Sequence, residues 1–235
     1  MKKIWIILIG LLVLFLLLVA TYKLMNARTF QLFGGLTYQV ETKEKVVALT
    51  FDDGPTKNVD DILALLDTYD AKATFFLIGN EIERNPELAE KIVEKGHQLG
   101  NHTYSHERMI FKSQAFIKKE VEETNQLIEK AGFTGEIDFR PPNGKKLFGL
   151  PYYLKQANID TILWDIEPDT YYQTAEDKIN YVKESVKPGS IILIHPMYDK
   201  TGDELKAIEG ILKTLTESGY TFSTVNELQE LAEDK

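Results

Sequence analysis

Alternating strand-like and helix-like stretches predict an α/β fold in which helices cover a parallel sheet. Val46 to Phe51 (VVALTF) is a continuous buried-strand pattern, and a helical pattern follows from Val59 to Tyr69. This order repeats along the chain. The strand candidates are 46–51, 73–79, 98–103, 137–140, 161–166, 190–195 and 220–225. With about seven or eight such units, a closed (β/α) barrel is favoured over an open doubly wound sheet.

The first element is an apolar segment at the N-terminus. Two lysines precede an uncharged run from Ile4 to Ala20, which is about the shortest stretch that spans a bilayer as a helix. A cleaved signal peptide is the alternative, but Leu18 two residues before Ala20 makes a poor cleavage site. We therefore expect residues 1–21 to be a single-pass anchor in the cell membrane, with the rest of the chain extracytoplasmic.

The remainder divides into a short connection and one domain. Residues 22–45 are polar and mixed in composition, which predicts a stalk that leads into the domain. Residues 46–235 are then one domain, and proline and glycine mark its helix boundaries. Pro86 fits the first turn of a helix over 86–95, and Gly132 ends a longer helical pattern over 113–131.

Composition limits the partners of this domain. The net charge of −9 and the pI of about 5.1 argue against a nucleic acid partner, because phosphate-binding proteins usually carry a basic face. The chain has no cysteine, so any metal must be held by nitrogen and oxygen ligands. No feature of the sequence predicts a protein partner.

Polar residues follow the predicted strands, at the edge where the chemistry of α/β folds is usually found. These residues are Asp52, Asp53, His102, His106, Arg140, the WDIEPD stretch from Trp164 to Asp169, and His195. Any one of them has an ordinary structural explanation, such as a turn or a hydrogen-bonded histidine. Together, two imidazoles and a carboxylate predict a three-ligand site for zinc or a similar divalent ion, with room left for water.

Five motifs in a fixed order make a resemblance specific. TFDDGP, HTYSH, RPPNG, a tryptophan–aspartate stretch and LIH resemble the polysaccharide deacetylases, the family four carbohydrate esterases that share a homology domain with nodulation-factor deacetylases. The resemblance covers roughly Val46 to Val225. It implies a distorted (β/α) barrel with seven main strands, and metal-dependent removal of N-acetyl groups, sometimes O-acetyl groups, from glycans.

The resemblance also implies roles for single residues. Asp53, His102 and His106 match the metal ligands of the family, with zinc expected and cobalt, nickel or manganese as alternatives. Asp52 matches the general base, and His195 matches the general acid. A divalent ion and a nearby carboxylate are together able to activate water for attack on an acetyl carbonyl, so these roles are chemically coherent.

Further positions complete the implied site. Arg140 resembles the arginine that orients the base, Leu193 resembles the wall for the acetyl methyl group, and a backbone N–H near Asn143 is expected to stabilise the oxyanion. Asn143 itself departs from the family, which usually has an aromatic residue there. Tyr171 is a candidate aromatic wall for the sugar.

The fourth motif departs from the family more strongly. Thr170 and Tyr171 occupy the positions of the usual Asp-Trp pair, so the carboxylate that tunes His195 is open. Asp169, Glu167 and Asp165 are candidates, and we favour Asp169.

Three functions compete at this point. The first is deacetylation of an N-acetylated envelope glycan such as peptidoglycan or poly-N-acetylglucosamine. The second is hydrolysis of an O-acetyl ester, as on acetylated xylan. The third is a catalytically dead domain that only binds glycan, and the presence of both acid–base candidates beside all three ligands argues against it.

Overall fold

The structure is a computed structural model that describes residues 2–232, and parallel strands form its centre. The strands are β1 (Leu36–Thr37), β2 (Val46–Asp52), β3 (Thr74–Leu77), β4 (Gln98–Asn101), β5 (Thr161–Ile162), β6 (Ile191–Ile194) and β7 (Thr221–Ser223). The main sheet has the order β4-β3-β2-β6, β7 pairs with the start of β2, and β1 pairs with β5. All of these pairings are parallel. The predicted α/β class with parallel strands is confirmed.

Single bridges connect the edges of the main sheet into a ring. Phe139 bridges Asn101 of β4 on one side and Thr161 of β5 on the other, and Ile166 bridges Ile192 of β6. The circuit therefore runs from β2 through β3, β4, Phe139 and β5 to β6 and back to β2. Because several joints are single bridges rather than ladders, the barrel is distorted.

Nine helices lie in the described part of the chain. They are α1 (Lys2–Met25), α2 (Val59–Thr68), α3 (Gly79–Arg84), α4 (Pro86–Glu94), α5 (Gln114–Lys130), α6 (Gly149–Ala157), α7 (Ala175–Ser185), α8 (Asp203–Glu217) and α9 (Val225–Glu230). The helices expected near 59–69, 86–95 and 113–131 match α2, α4 and α5. Pro86 begins α4, where its missing N–H costs nothing.

The alternation of side chains along β2 builds two cores. Val47, Leu49 and Phe51 point outward and pack against the covering helices, in a cluster that includes Ile62 of α2. Ala48 points to the other face and joins a second cluster inside the barrel. Since side chains alternate along a strand, Asp52 shares the inner face with Ala48, and this places its carboxylate inside the barrel mouth.

Two segments differ from the sequence-based expectations. Residues 137–140 contribute the single-residue bridges of Phe139 instead of a full strand, because their pairing stops after one residue on each side. The segment 22–45, expected to be a stalk, contains β1 and so adds a strand beside β5.

Helix α1 is set apart from the barrel by its exposure. It has 24 residues, a mean hydropathy of 3.1 over its most apolar window and no buried residue. Among the described residues it is the one helix long and apolar enough to cross a membrane.

The amino ends of the strands hold a buried acid. Asp138 is 3% exposed, and its Oδ2 accepts hydrogen bonds from Gln98 Nε2 at 3.0 Å and Asn226 Nδ2 at 2.9 Å. Burial raises the pKa of Asp138 to about 7, although the bond from Gln98 opposes this rise. The folded state therefore binds a proton at Asp138 more tightly than the unfolded chain does.

Asp138→Asn is expected to change how stability depends on pH. Because the folded pKa is raised, Asp138 makes the wild-type protein lose stability as the pH rises from about 4 to about 7. Asparagine does not titrate, so the free energy of unfolding of the variant should fall less over this pH range. Urea unfolding of the detergent-solubilised protein across the pH range measures the difference. Asp203→Asn, at a half-exposed position, serves as control, and equal slopes for wild type and Asp138→Asn would contradict the assignment.

Candidate active site

The carboxyl ends of three strands carry the predicted site residues. Asp52 ends β2, His102 follows β4, and His195 follows β6. Their elements are held in register by parallel pairing of β2 with β3 and β6, and of β3 with β4. The structure thus brings residues more than 140 positions apart in sequence to one edge of the barrel.

Asp53, His102 and His106 form a cluster with ligand atoms within 4.8 Å of one another. Asp53 Oδ1 lies 3.3 Å from His106 Nε2 and 3.8 Å from His102 Nε2. Within residues 2–232, this buried oxygen has no hydrogen-bond partner. A buried carboxylate oxygen without a hydrogen-bond partner that faces two imidazole nitrogens suits a divalent cation, because one cation would be coordinated by all three atoms.

The backbone at this cluster is unusual. Asp53, Thr103 and His106 have φ values of 74°, 69° and 60°, in the left-handed region that non-glycine residues rarely occupy. His106 N donates to Thr103 Oγ1 at 3.0 Å, which helps hold the turn. Such strain persists only when the surroundings impose it, and it is typical of functional sites.

The ring of His102 is oriented by the backbone. Its Nδ1 lies 2.8 Å from the carbonyl oxygen of Arg140, so Nδ1 carries the proton and Nε2 is left as an acceptor facing Asp53. Burial lowers the pKa of His102, and burial likewise lowers that of His106. Both imidazoles are therefore held in the neutral form that binds a metal.

Arg140 is fully buried beneath Asp52. Its Nη1 donates to Asp52 Oδ1 at 2.8 Å and to Thr50 Oγ1 at 2.8 Å, and its guanidinium carbon lies 4.0 Å from the ring centre of Phe76. Burial raises the pKa of Asp52, but the charge of Arg140, with that of His195, lowers it below its ordinary value overall. Asp52 is therefore an ionised carboxylate with one oxygen facing the site.

Asp169 is the carboxylate beside His195. Its Oδ2 lies 3.1 Å from His195 Nδ1 and accepts a hydrogen bond from His195 N at 2.8 Å, while Lys178 Nζ lies 2.9 Å from its Oδ1. Burial alone would lower the pKa of His195, yet Asp169 and Asp52 raise it to about 9. The imidazole is therefore protonated at neutral pH and available as a proton donor.

The other two carboxylates of the fourth motif have different partners. Glu167 Oε2 accepts from Trp164 Nε1 at 3.0 Å, and Asp165 accepts from Ser190 Oγ at 2.8 Å. Of the three candidates left open by the sequence, Asp169 is the one that contacts His195. Lys178, which positions Asp169, carries no motif that would single it out.

A pocket of about 370 Å³ opens above these residues. Its lining comprises Arg28, Asp52, Arg108, Asn143, Lys145, Trp164, Glu167, Thr170 and His195. Sequence analysis missed three cations in this lining, at positions 28, 108 and 145. Lys145 directly follows the RPPNG motif and Arg108 lies two residues after HTYSH, whereas no motif lies near Arg28.

The remaining predicted residues lie at different distances from this pocket. Asn143 lines it, has a φ of 56° and accepts from Arg108 Nε at 2.9 Å. Leu193 is fully buried in the inner core and lies outside the lining. Tyr171 is 60% exposed and packs against Tyr172 and Tyr181, while its neighbour Thr170 lines the pocket.

Comparison with known proteins identifies the family. A polysaccharide deacetylase family model matches residues 39–162. A peptidoglycan-N-acetylglucosamine deacetylase of Bacillus cereus is 34% identical over 199 residues, which cover 83% of this chain and 93% of that protein. The chain belongs to the polysaccharide deacetylase family. It is thus a hydrolase of the class that acts on N-acetyl groups of polysaccharides.

Other members of the family resemble this deacetylase in sequence or in structure. The peptidoglycan-N-acetylmuramic acid deacetylase PdaC of Bacillus subtilis is 33% identical over 83% of this chain, which spans only 41% of that protein. The solved Bc1960 peptidoglycan N-acetylglucosamine deacetylase superimposes with a TM-score of 0.79 at 27% identity, covering 86% of this chain and 96% of that one. The family also contains a pseudoenzyme, BA3943 of Bacillus anthracis, with a TM-score of 0.76 at 27% identity, covering 86% and 72% of the two chains.

Asp169→Asn in this deacetylase is expected to lower the pKa of His195. The Asp169 carboxylate stabilises the imidazolium, and asparagine removes that charge while keeping the shape. NMR titration of the His195 ring in metal-free protein measures the shift. Asp199→Asn is the control, because Asp199 does not contact His195. An unchanged His195 titration in Asp169→Asn would refute the pairing of Asp169 with His195.

Proposed function

We propose that this deacetylase removes N-acetyl groups from peptidoglycan or a related poly-N-acetylglucosamine glycan in a metal-dependent reaction. The observation that carries the proposal is the meeting of three groups at one edge of the barrel: the Asp53–His102–His106 cluster, the Asp52–Arg140 pair and the Asp169–His195 pair. A site for one metal ion, a carboxylate base and a protonated imidazole are the groups that this kind of amide hydrolysis uses.

Asp53, His102 and His106 would hold the metal. One carboxylate and two neutral imidazoles suit zinc, and cobalt, nickel or manganese accept the same donors. When bound, the ion would supply Lewis acidity to the acetyl carbonyl and to water. His102 is held for this role by its contact with the Arg140 carbonyl, which leaves Nε2 facing the cluster.

Asp52 is the proposed general base. Its Oδ1 is engaged by Arg140, while Oδ2 lies 3.6 Å from His102 Nε2 and faces the cluster. A carboxylate held on one oxygen keeps the other aimed at a water molecule. Arg140 keeps Asp52 ionised and is therefore a positioning residue.

His195 is the proposed general acid, and its protonation state favours an amide substrate. The leaving amine of an N-acetyl sugar needs a proton, and a histidine with a pKa near 9 holds one at neutral pH. Asp169 keeps that proton in place. The backbone N–H near Asn143 is the proposed oxyanion donor, and Leu193 and Tyr171 remain predicted contacts of the acetyl methyl and the sugar.

The relatives support the proposed substrate, and α1 supports the proposed location. The relatives from Bacillus cereus and Bacillus subtilis, at 34% and 33% identity, are peptidoglycan deacetylases by name, which supports an envelope glycan over acetylated xylan. Asp52 and His195 are both present with their partners, which supports catalysis over glycan binding alone. Helix α1 would anchor the protein in the cell membrane as a single pass, with residues 46–235 as an extracytoplasmic catalytic domain.

Asp52→Asn should lower turnover by roughly a hundredfold or more and leave metal content intact. The variant removes the proton acceptor but none of the three proposed ligands. Free amino sugars released from purified peptidoglycan, measured by mass spectrometry, report turnover, and elemental analysis reports metal. Near-normal turnover with metal bound would show that another group is the base.

His106→Ala should behave differently from Asp52→Asn. It removes a proposed ligand, so metal content and activity should fall together, and added zinc or cobalt should partly restore both. Full metal content in His106→Ala would exclude this residue from the metal site.

The anchor makes a prediction about fractionation. Full-length protein should remain in the membrane pellet after carbonate and high-salt washing, because about 20 apolar residues are held by the hydrocarbon core. Protease added outside the cell should digest the domain. A mature N-terminus at Thr21 would instead identify a cleaved signal peptide.

A further inference from the structure

The active-site pocket is cationic although the chain is acidic. Arg28, Arg108 and Lys145 line it, and its two carboxylates, Asp52 and Glu167, are each already paired with an arginine, while the whole sequence carries a net charge of −9. Three cations on one pocket of an acidic protein indicate a selected local charge rather than the average surface. The proton transfer and metal binding proposed above use none of the three, so a role toward the substrate is open to them.

Arg28 reaches the pocket because the segment after α1 is fixed to the barrel. Lys146 N donates to the carbonyl oxygen of Met25 at 3.4 Å, and the Nζ of Lys146 donates to the carbonyl oxygen of Ala27. Lys146 is only 2% exposed, so these contacts are inside the protein. The residues that lead from α1 are therefore part of the site wall, and Arg28 follows directly.

The Arg28 side chain is held in place, but some of its N–H donors remain available. Its Nη2 donates to Glu167 Oε2 at 2.7 Å, and its guanidinium carbon lies 4.9 Å from the centre of the Trp164 ring. The same indole lies 5.5 Å from the guanidinium carbon of Arg140. With 40% of its side chain exposed and no other partner among residues 2–232, Arg28 keeps donors that face the pocket.

The other two cations lack acidic partners. Arg108 Nε donates to Asn143 Oδ1 at 2.9 Å, and Lys145 Nζ donates to Asn26 Oδ1. In the described part of the chain neither has a carboxylate within 4.0 Å, whereas Arg28 is paired with Glu167. The rim of the pocket therefore keeps two uncompensated positive charges beside the guanidinium of Arg28.

We propose that Arg28 is a specificity-determining residue that, with Arg108 and Lys145, binds a carboxylate carried by the glycan substrate. Arginine suits this task because its planar fork binds a carboxylate through two parallel hydrogen bonds. The inference rests on the proposed deacetylase function and names its substrate class, an acidic N-acetylated glycan. The carboxylate belongs to the sugar chain or to a peptide attached to it.

The test compares acidic and neutralised forms of one glycan. Full-length protein in detergent, loaded with zinc, is given peptide-free peptidoglycan strands, whose lactyl groups carry carboxylates. It is also given the same strands after their carboxylates are coupled to methylamine. Peptide-bearing strands, untreated and after the same coupling, form a second pair. The readout is the ratio of kcat/KM for acidic over neutralised strands, from amino sugars counted by mass spectrometry.

Wild-type protein should favour acidic strands by roughly tenfold, and Arg28→Ala should bring the ratio close to one, mainly through KM. Arg28→Lys should restore part of the preference, because the charge returns without the fork. The double variant Arg28→Ala, Glu167→Gln should also lose the preference, which excludes repulsion by an unpaired Glu167 as the cause. A preference on peptide-free strands assigns the carboxylate to the lactyl group, and one confined to peptide-bearing strands assigns it to the peptide.

Arg84→Ala is the matched control, because Arg84 pairs with Glu81 on α3 at 2.6 Å and lies outside the pocket lining. Its ratio should equal that of wild type. A wild-type ratio of one on both the peptide-free and the peptide-bearing strands, or a ratio unchanged in both Arg28 variants that lack the charge, would overturn this inference while leaving deacetylation intact. Absence of activity on every strand would overturn the proposed function and this inference with it.

Discussion

The buried ion pair between Asp52 and Arg140 connects the barrel to its chemistry. Arg140 is fully buried, and its donors reach Asp52 and Thr50 of β2 as well as the carbonyl oxygens of Ile162 and Leu163 near β5. Its own carbonyl oxygen orients His102. A buried arginine is tolerable only when its donors are satisfied, and breaking such a pair costs about 3–5 kcal/mol. The same contacts therefore fold the barrel mouth and position the base and one metal ligand.

Two ionisable groups in the pocket are shifted in opposite directions. Asp52 has a lowered pKa despite its burial because Arg140 lies beneath it, and His195 has a pKa of about 9 because Asp169 lies beside it. Each group is thus held in its charged form at neutral pH by a partner that does not itself react. Environments that separate two pKa values assign one group to accept a proton and the other to donate one.

Packing around Arg140 explains some residues that have no chemical role. The ring of Phe76 lies against the guanidinium, and Gly100 of β4 leaves it room, since a Cβ at Gly100 would approach Phe76 to 2.4 Å. On the other side, Trp164 lies between Arg140 and Arg28. The indole therefore connects Arg140 in the catalytic centre to Arg28 in the segment that follows α1.

The sequence by itself determined the α/β class, the helices α2, α4 and α5, and the meeting of Asp52, His102 and His195. Strand and helix periods are local, and parallel strands place their carboxyl ends at one edge, so residues that follow strands come together. Only the tertiary structure decided which carboxylate contacts His195 and that Arg28 joins the pocket. Arg28 meets Glu167 across 139 positions, and such contacts depend on how distant segments pack, which no local pattern records.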